Sequence, residues 1–172
     1  MKTKRLLKIC ISLLLIVSNI SCDQITKEKA REEICENETI SVIEDHFILT
    51  KVENTGAALS AGEHLTPNLK IVFLQVLPLL VLLFLFIYIV HNKKISKLNL
   101  VGFSFIIGGG IGNIYDRILF NSVTDFMYLE YGALHTGIFN MADVSVVVGT
   151  LFILLNSLLS EINKTQYKAT SL

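Results

Sequence analysis

Three aspartates stand where acids are expensive. Asp143 is the only charged residue of the apolar stretch 138–159, and it lies five residues inside it. A charged side chain in a membrane span costs about 3 kcal/mol or more unless it is paired, neutralised or wetted, which makes it a functional candidate. Asn140 precedes it by three residues and so shares nearly the same helix face. The run Gly112-Asn113-Ile114-Tyr115-Asp116-Arg117 repeats that spacing, with Asn113 and Asp116 at the end of another apolar stretch. Asp125 follows Asp116 by nine residues and is flanked by Val123, Phe126 and Met127, odd company for a solvated acid. If the segment carrying Asp125 folds back over the mouth of a helix bundle, Asp125 and Asp143 can meet. Two carboxylates sharing a site cannot both ionise easily, so the pair holds one proton. One member then activates water while the other protonates a carbonyl or a leaving amine.

Other chemistries lack their residues. His46, His64, His91 and His135 are scattered, so no metal-ligand cluster and no cofactor is expected. Neither a GxSxG nor an HExxH motif occurs. Cys10, Cys22 and Cys35 show no CxxC or metal spacing; Cys10 reads as a small packing residue, and a Cys22–Cys35 disulfide is left open. Each polar feature also has a plainer reading. Asp143 could be a helix N-terminal acid favoured by the helix dipole. Gly108, Gly109, Gly110 and Gly112 could serve packing alone, and Asp116 with Arg117 could be an interfacial ion pair.

The elements that must position these residues are membrane helices. Of the 172 residues, 52% are hydrophobic and only 17% charged, with 15 Lys+Arg against 15 Asp+Glu. That balance excludes a basic nucleic-acid binder and a disordered chain. Apolar stretches at about 6–22, 69–90, 98–115 and 138–159 are long enough to cross a bilayer as helices. Lys2, Lys4, Arg5 and Lys8 precede the first, and Lys93, Lys94 and Lys97 follow the second. Residues 23–68 instead hold ten acids against four basic residues, and 116–139 have Arg117 alone on the basic side. The positive-inside rule therefore puts both termini in the cytoplasm and the segments 23–68 and 116–137 outside. The basic start and Ser21-Cys22 look like a secretory leader, but Asn19 and the three later spans favour an uncleaved first helix. One membrane domain over 1–160 and a polar cytoplasmic tail over 161–172 are expected.

Outside the spans, residues 27–38 suit a short surface helix or loop. Residues 40–52 read as two short strands around Glu44-Asp45, and 123–138 as strand-like runs around Tyr131-Gly132. Asn54-Thr55-Gly56 signals a turn before the small apolar Ala57-Ala58-Leu59. Together these predict a small sheet on the outer membrane surface. Asn37-Glu38-Thr39 matches a glycosylation sequon, a match no better than its base rate.

From the residues alone, a hydrolase, a small transporter and a structural membrane protein remain open. Five motifs in order narrow the choice: Asp23-Gln24 with Thr26-Lys27, Asn54-Thr55-Gly56-Ala57-Ala58, Gly112 to Arg117, Val123-Thr124-Asp125-Phe126, and Phe139-Asn140-Met141-Ala142-Asp143. Over about residues 5–160 the chain resembles the bacterial lipoprotein signal peptidases, signal peptidase II. The resemblance implies four transmembrane helices with a periplasmic β-cradle at 40–60 and 123–138, and a short outer helix near 61–68. It implies an aspartyl endopeptidase of the inner membrane, acting as a monomer without a cofactor. Its substrates would be prolipoproteins, cut on the amino side of a diacylglyceryl-modified cysteine. The dyad carries over as Asp125 and Asp143. Asn54, Gly56, Ala57, Asn113, Arg117 and Asn140 match residues that contact substrate or hold the dyad, and Asp116 becomes a supporting acid. Asp23 and Lys27 are expected to tie the first helix to the sheet. Leu59 departs from the aromatic often found there, and the segment after Lys27 is unusually acidic. The competing readings are a non-catalytic protein that binds lipid-modified chains and a small transporter.

Overall fold

The computed structural model describes residues 2–35, 38–44, 46–57 and 61–170, with the backbone alone at residues 2 and 166–170. Asn37, Asp45, Ala58 and Leu59, named above in the sequon, the first hairpin turn and the apolar turn, lie outside them. Four helical segments are long and apolar enough to cross a membrane: Thr3–Glu33, Pro67–His91, Lys97–Phe120 and Met141–Thr165. Their outward side chains confirm the solvent they suit. Leu14, Phe84 and Leu158 are each more than 60% exposed, among many apolar side chains that face outward along the spans, a surface suited to lipid.

Helix α1 runs Lys2–Glu33, eleven residues past the expected end at Cys22. The charged run beyond Cys22 stays helical because its buried charges find partners on other elements, and because Ala30 and Ile34 bury apolar surface beneath the sheet. The second span is α2 (Pro67–Ile71), a π-helical turn at Val72–Val76, and α3 (Leu77–His91). Pro78 explains the wide turn: it has no N–H to return to Leu74, so the ladder opens just before it. Helix α4 (Lys97–Phe120) is capped by Ser96, whose hydroxyl accepts from Asn99 N, and ends on Asn121 in the left-handed region at φ 58°. It outlasts its expected end at residue 115 by five residues, so Asp116 and Arg117 are helical and not part of an outer loop. Helix α5 covers Met141–Thr170, continuing through the segment expected to be a polar tail.

Helix α4 is the centre of the bundle, and its glycines show why. A Cβ on Gly108 would meet Asn19 Cβ of α1 at 2.7 Å. On Gly109 it would meet the Ala142 carbonyl of α5 at 2.3 Å, and on Gly110 Leu82 Cδ1 of α3 at 2.7 Å. Three successive residues thus admit three different helices. Lower down, Gly102 and Gly149 face each other in the α4–α5 contact. The glycine run is packing, as its plainer reading had it. Ile16, Leu82, Ile89, Leu100, Ile107 and Ile114 fill the space between α1, α3 and α4.

The sheet has the antiparallel order β1 (Ile40–Ile43), β2 (Phe47–Asn54), β3 (Val123–Tyr131), β4 (Leu134–His135). The β3–β4 turn uses Gly132 at φ 60°, as the Tyr131-Gly132 signal implies. Phe126, Met127, Phe47 and Leu49 pack on Ala30 and Ile34. Residues 61–65 form turns closed by Leu65 N to Gly62 O and Ala57 N to Ala61 O, so among the described residues no separate outer helix precedes Pro67. Cys10, Cys22 and Cys35 are free, exposed thiols.

Candidate active site

The site forms because two distant segments share one strand edge. Phe139 pairs with β3: its carbonyl accepts from Phe126 N and Met127 N at 3.0 and 2.9 Å, and its N–H donates to Met127 O at 2.8 Å. Residue 139 is therefore extended, and α5 begins at Met141 instead of the expected 138. Asn140 is its N-cap. The Asn140 Oδ1 accepts from Asp143 N at 3.0 Å, and Asp143 Oδ2 accepts from Asn140 N at 3.2 Å, a reciprocal capping box. The plainer reading of Asp143 as a first-turn acid is thus correct for its backbone position.

The same Asn140 reaches the other acid. Its Nδ2 donates to Asp125 Oδ1 at 2.6 Å and to Asn113 Oδ1 at 3.1 Å. Asn113 Nδ2 in turn donates to Asp143 Oδ1 at 2.9 Å. Two amides, buried Asn140 and half-buried Asn113, therefore hold both carboxylates, each amide with its donor and acceptor already directed. Asp125 Oδ2 accepts from Asn54 Nδ2 at 3.0 Å, where the end of β2 lies beside β3. Asp125 is 4% exposed. Burial pushes its carboxyl up to about 6, and the charge of Asp143 adds to this. Hydrogen bonds from Asn54 and Asn140, with the charge of Lys27, pull in the opposite direction.

Gly56 and Ala57 shape the wall over the carboxylates. Gly56 N donates to Asn54 Oδ1 at 2.9 Å, and the Ala57 carbonyl accepts from Asn54 Nδ2 at 3.1 Å, so the turn orients Asn54. Arg117 holds the turn from α4, its Nη2 donating to the Gly56 carbonyl at 2.7 Å and its Nη1 to the Asn113 carbonyl at 3.2 Å. A cavity of about 580 Å³ is lined by Asn54, Ala57, Asn113, Arg117, Asp125, Asn140 and Asp143 together with Val123, Ile138, Phe139, Val144 and Val147. Polar groups converge at one end of an otherwise apolar space.

Asp116 is elsewhere. It is fully buried on the α1 side of α4, where Oδ2 lies 3.0 Å from Lys27 Nζ and 3.1 Å from Arg31 Nη2. Its Oδ1 accepts from Gln24 Nε2 at 3.1 Å. It makes no pair with Arg117, whose side chain runs to Gly56, so the interfacial-pair reading fails. Asp23 and Lys27 correct another expectation: they tie α1 to α4 and α5 and not to the sheet. Lys27 Nζ donates to Asp23 Oδ2 and to Asn113 Oδ1, both at 2.9 Å. Asp23 Oδ1 accepts from Ala142 N at 2.8 Å, satisfying a free amide of the first turn of α5. The sheet is tied one turn further along, by Arg31, which was not singled out. Its Nε donates to Thr124 Oγ1 at 2.8 Å and its guanidinium lies 4.2 Å over the Phe120 ring. A signal for it existed in the chain. Asn19, Asp23, Lys27 and Arg31 recur every four residues, one polar stripe of a helix.

Among the described residues no group of three or more His, Cys, Asp or Glu converges as a metal site. The arrangement offers two carboxylates sharing amide donors, with one acid held towards its protonated form, which is the equipment of acid–base hydrolysis.

Comparison with known proteins gives the family of the chain. The family model described as Signal peptidase (SPase) II matches residues 14–159. The chain is 34% identical over 141 residues to the lipoprotein signal peptidase of Clostridium novyi (strain NT), which covers 81% of this chain and 92% of that protein. It is 35% identical over 144 residues to the lipoprotein signal peptidase of Clostridium tetani (strain Massachusetts / E88), covering 83% and 89%. A solved structure titled "Bacterial membrane enzyme structure by the in meso method at 2.3 A resolution" superposes with a TM-score of 0.79 at 27% identity, over 90% of this chain and 91% of that one. The matched span contains the whole carboxylate–amide cluster and most of the four helices that hold it, and the chain belongs to the signal peptidase II family.

Proposed function

We propose that this membrane peptidase is of the aspartic type and that Asp125 and Asp143 are its dyad. Its substrate is a prolipoprotein carrying a diacylglyceryl-modified cysteine, cut on the amino side of that cysteine. The observation that carries this reading is Asn140, which donates its side-chain amide to Asp125 and its backbone N–H to Asp143. Asp125, pushed up by burial, keeps the shared proton. Asp143 accepts a proton from water as the water oxygen attacks the scissile carbonyl, and Asp125 protonates that carbonyl oxygen. Collapse of the tetrahedral intermediate passes a proton to the leaving amine of the lipidated cysteine and releases the signal peptide as a carboxylic acid. Asn54, Asn113 and Asn140 keep the two carboxylates in register, and Arg117 keeps the Gly56–Ala57 wall in place.

The apolar half of the cavity suits a substrate that arrives from lipid. Val144 and Val147 lie on the same helix as Asp143, so a signal-peptide helix can lie along α5 with its end at the carboxylates. Orientation follows from charge. Lys8 donates to the Asn92 carbonyl at 3.0 Å, which places the basic N-terminus and the Lys93-Lys94-Lys97 turn at one end, with the sheet at the other. We assign the basic end to the cytoplasm and the sheet to the outer face of the bacterial inner membrane.

The test is incubation of the purified chain with a diacylglyceryl-modified prolipoprotein and with its unmodified precursor. The modified substrate is expected to yield a product whose N-terminus is the lipidated cysteine. Binding without cleavage would support the non-catalytic alternative and overturn the proposal.

A further inference from the structure

A second cavity, of about 330 Å³, lies between the start of α2 and the end of α4 and shares only Arg117 with the first. Among the described residues its two charged lining residues, Lys70 and Arg117, are both cations, and no carboxylate lines it. Among the described residues neither cation forms a salt bridge. Arg117 uses Nη1 and Nη2 on backbone carbonyls, and its buried Nε has no hydrogen-bond partner. Gln75 Nε2 donates to the Arg117 carbonyl at 3.3 Å, the amide of Asn121 lies on the same wall, and Ile71 and Leu74 line the apolar part. Arg117 also feels the charges of Asp125, Asp143 and Asp116 beyond this cavity, but Lys70 faces no acid here, and two cations in one wall call for an anion.

The position of the cavity says what the anion is attached to. Lys70 sits in α2, at the sheet end of the Pro67–His91 span, the level of the lipid headgroups. Next to it Ile71, Val72 and Phe73 are 46%, 48% and 51% exposed on a segment that crosses the membrane. A free anion would leave that apolar surface uncovered, whereas a headgroup with its hydrocarbon attached covers both parts. We propose that this cavity binds the phosphodiester of a phospholipid from the leaflet at the sheet end, between Lys70 and Arg117, with an acyl chain over Ile71 and Leu74. The site does not depend on the peptidase reading. Because Arg117 lines both cavities, a bound headgroup lies next to the group that holds Gly56 over the carboxylates.

The experiment is a titration of the purified full chain, in a neutral detergent, with dioctanoylphosphatidylglycerol, reading the thermal unfolding midpoint. A saturable rise is expected. Lys70→Gln should raise the half-saturating concentration about tenfold, the scale of one charge-assisted hydrogen bond, while leaving the lipid-free midpoint unchanged. Lys70→Arg should stay within about threefold of wild type, as should Lys164→Gln at the opposite end of α5. Dioctanoylglycerol, which lacks the phosphate, and inorganic phosphate, which lacks the chains, should give no saturable rise. Three results overturn the proposal: Lys70→Gln and wild type with equal half-saturation, Lys164→Gln as damaging as Lys70→Gln, or inorganic phosphate alone saturating the site.

Discussion

Gly109 and Gly110 are neighbours in sequence, yet alanine should be damaging at the first position and tolerated at the second. At Gly109 the added Cβ would sit 2.3 Å from the Ala142 carbonyl oxygen and 3.1 Å from Ser145 Cβ and Val146 Cγ2. An ordinary carbon–oxygen contact needs about 3.3 Å, so the first turn of α5 must retreat by about 1 Å. Ala142 has no slack to absorb this, because its N–H is held by Asp23 and its neighbour Asp143 by Asn113. Overpacking of this kind costs about 1–3 kcal/mol, partly offset by about 1 kcal/mol from the better helix propensity of alanine. The net loss of stability should be about 0–2 kcal/mol. The loss of rate should be larger, because a 1 Å misplacement of a reacting group costs about a hundredfold. At Gly110 the new methyl would meet Leu82 Cδ1 and Cδ2 at 2.7 and 2.9 Å, the far end of a flexible side chain that can turn away. Gly110→Ala should keep its activity within about threefold. Initial cleavage rates and unfolding midpoints in detergent read both effects. Equal activity of Gly109→Ala and Gly110→Ala would refute the claim that α5 is located through that contact.

Other consequences follow from the buried charges. The carboxyl of Asp125, raised from 3.8 to about 6, favours the folded state most below pH 3.8, and that contribution is lost as pH rises through about 6. Asp125→Asn should therefore gain stability relative to wild type on going from pH 4 to pH 8, by on the order of 3 kcal/mol; a difference that does not change with pH would show that Asp125 is not perturbed. If Asp125 must carry a proton, kcat/KM should fall above an apparent limb near pH 6, and Asn54→Ala, which removes a bond to the ionised form, should move that limb upward. Lys27→Met removes the cation that lies 2.9 Å from Asp23 and 3.0 Å from Asp116, all three fully buried. It should cost about 3–5 kcal/mol, measured by denaturation, and the further change Asp23→Asn should recover part of that loss; additive losses would contradict a shared network.

The spans and the acids at their ends were legible because each is a local property: twenty apolar residues in a row, or one charge among them. What was not legible depended on partners far away in the chain. Residues 27–33 have a polar composition that suits a short surface helix or a loop, but Lys27 and Arg31 continue α1 because Asp116, almost ninety residues on, neutralises them. The same pairing hid the end of α4, since Asp116 looked like the first residue of an outer segment. The start of α5 shifted from 138 to 141 because Phe139 belongs to the edge of β3, a backbone pairing with no sequence period of its own. That pairing is also what brings Asp125 to Asn140. The choice of Asp125 over Asp116 as the partner of Asp143 therefore could not be made from spacing, and came from the family resemblance. In the structure Asp116 lies on the α1 side of α4, and Asp143 on the side of the cavity.

The central claim is that Asp125 and Asp143 together perform the hydrolysis. The most direct test is the turnover of a diacylglyceryl-modified prolipoprotein by Asp125→Asn and Asp143→Asn, each with an unfolding midpoint measured on the same preparation. Both variants should fold and insert, and each should lose about a thousandfold or more in rate, because neither remaining carboxylate can act as both acid and base. Either folded variant turning over within about tenfold of wild type would contradict the dyad.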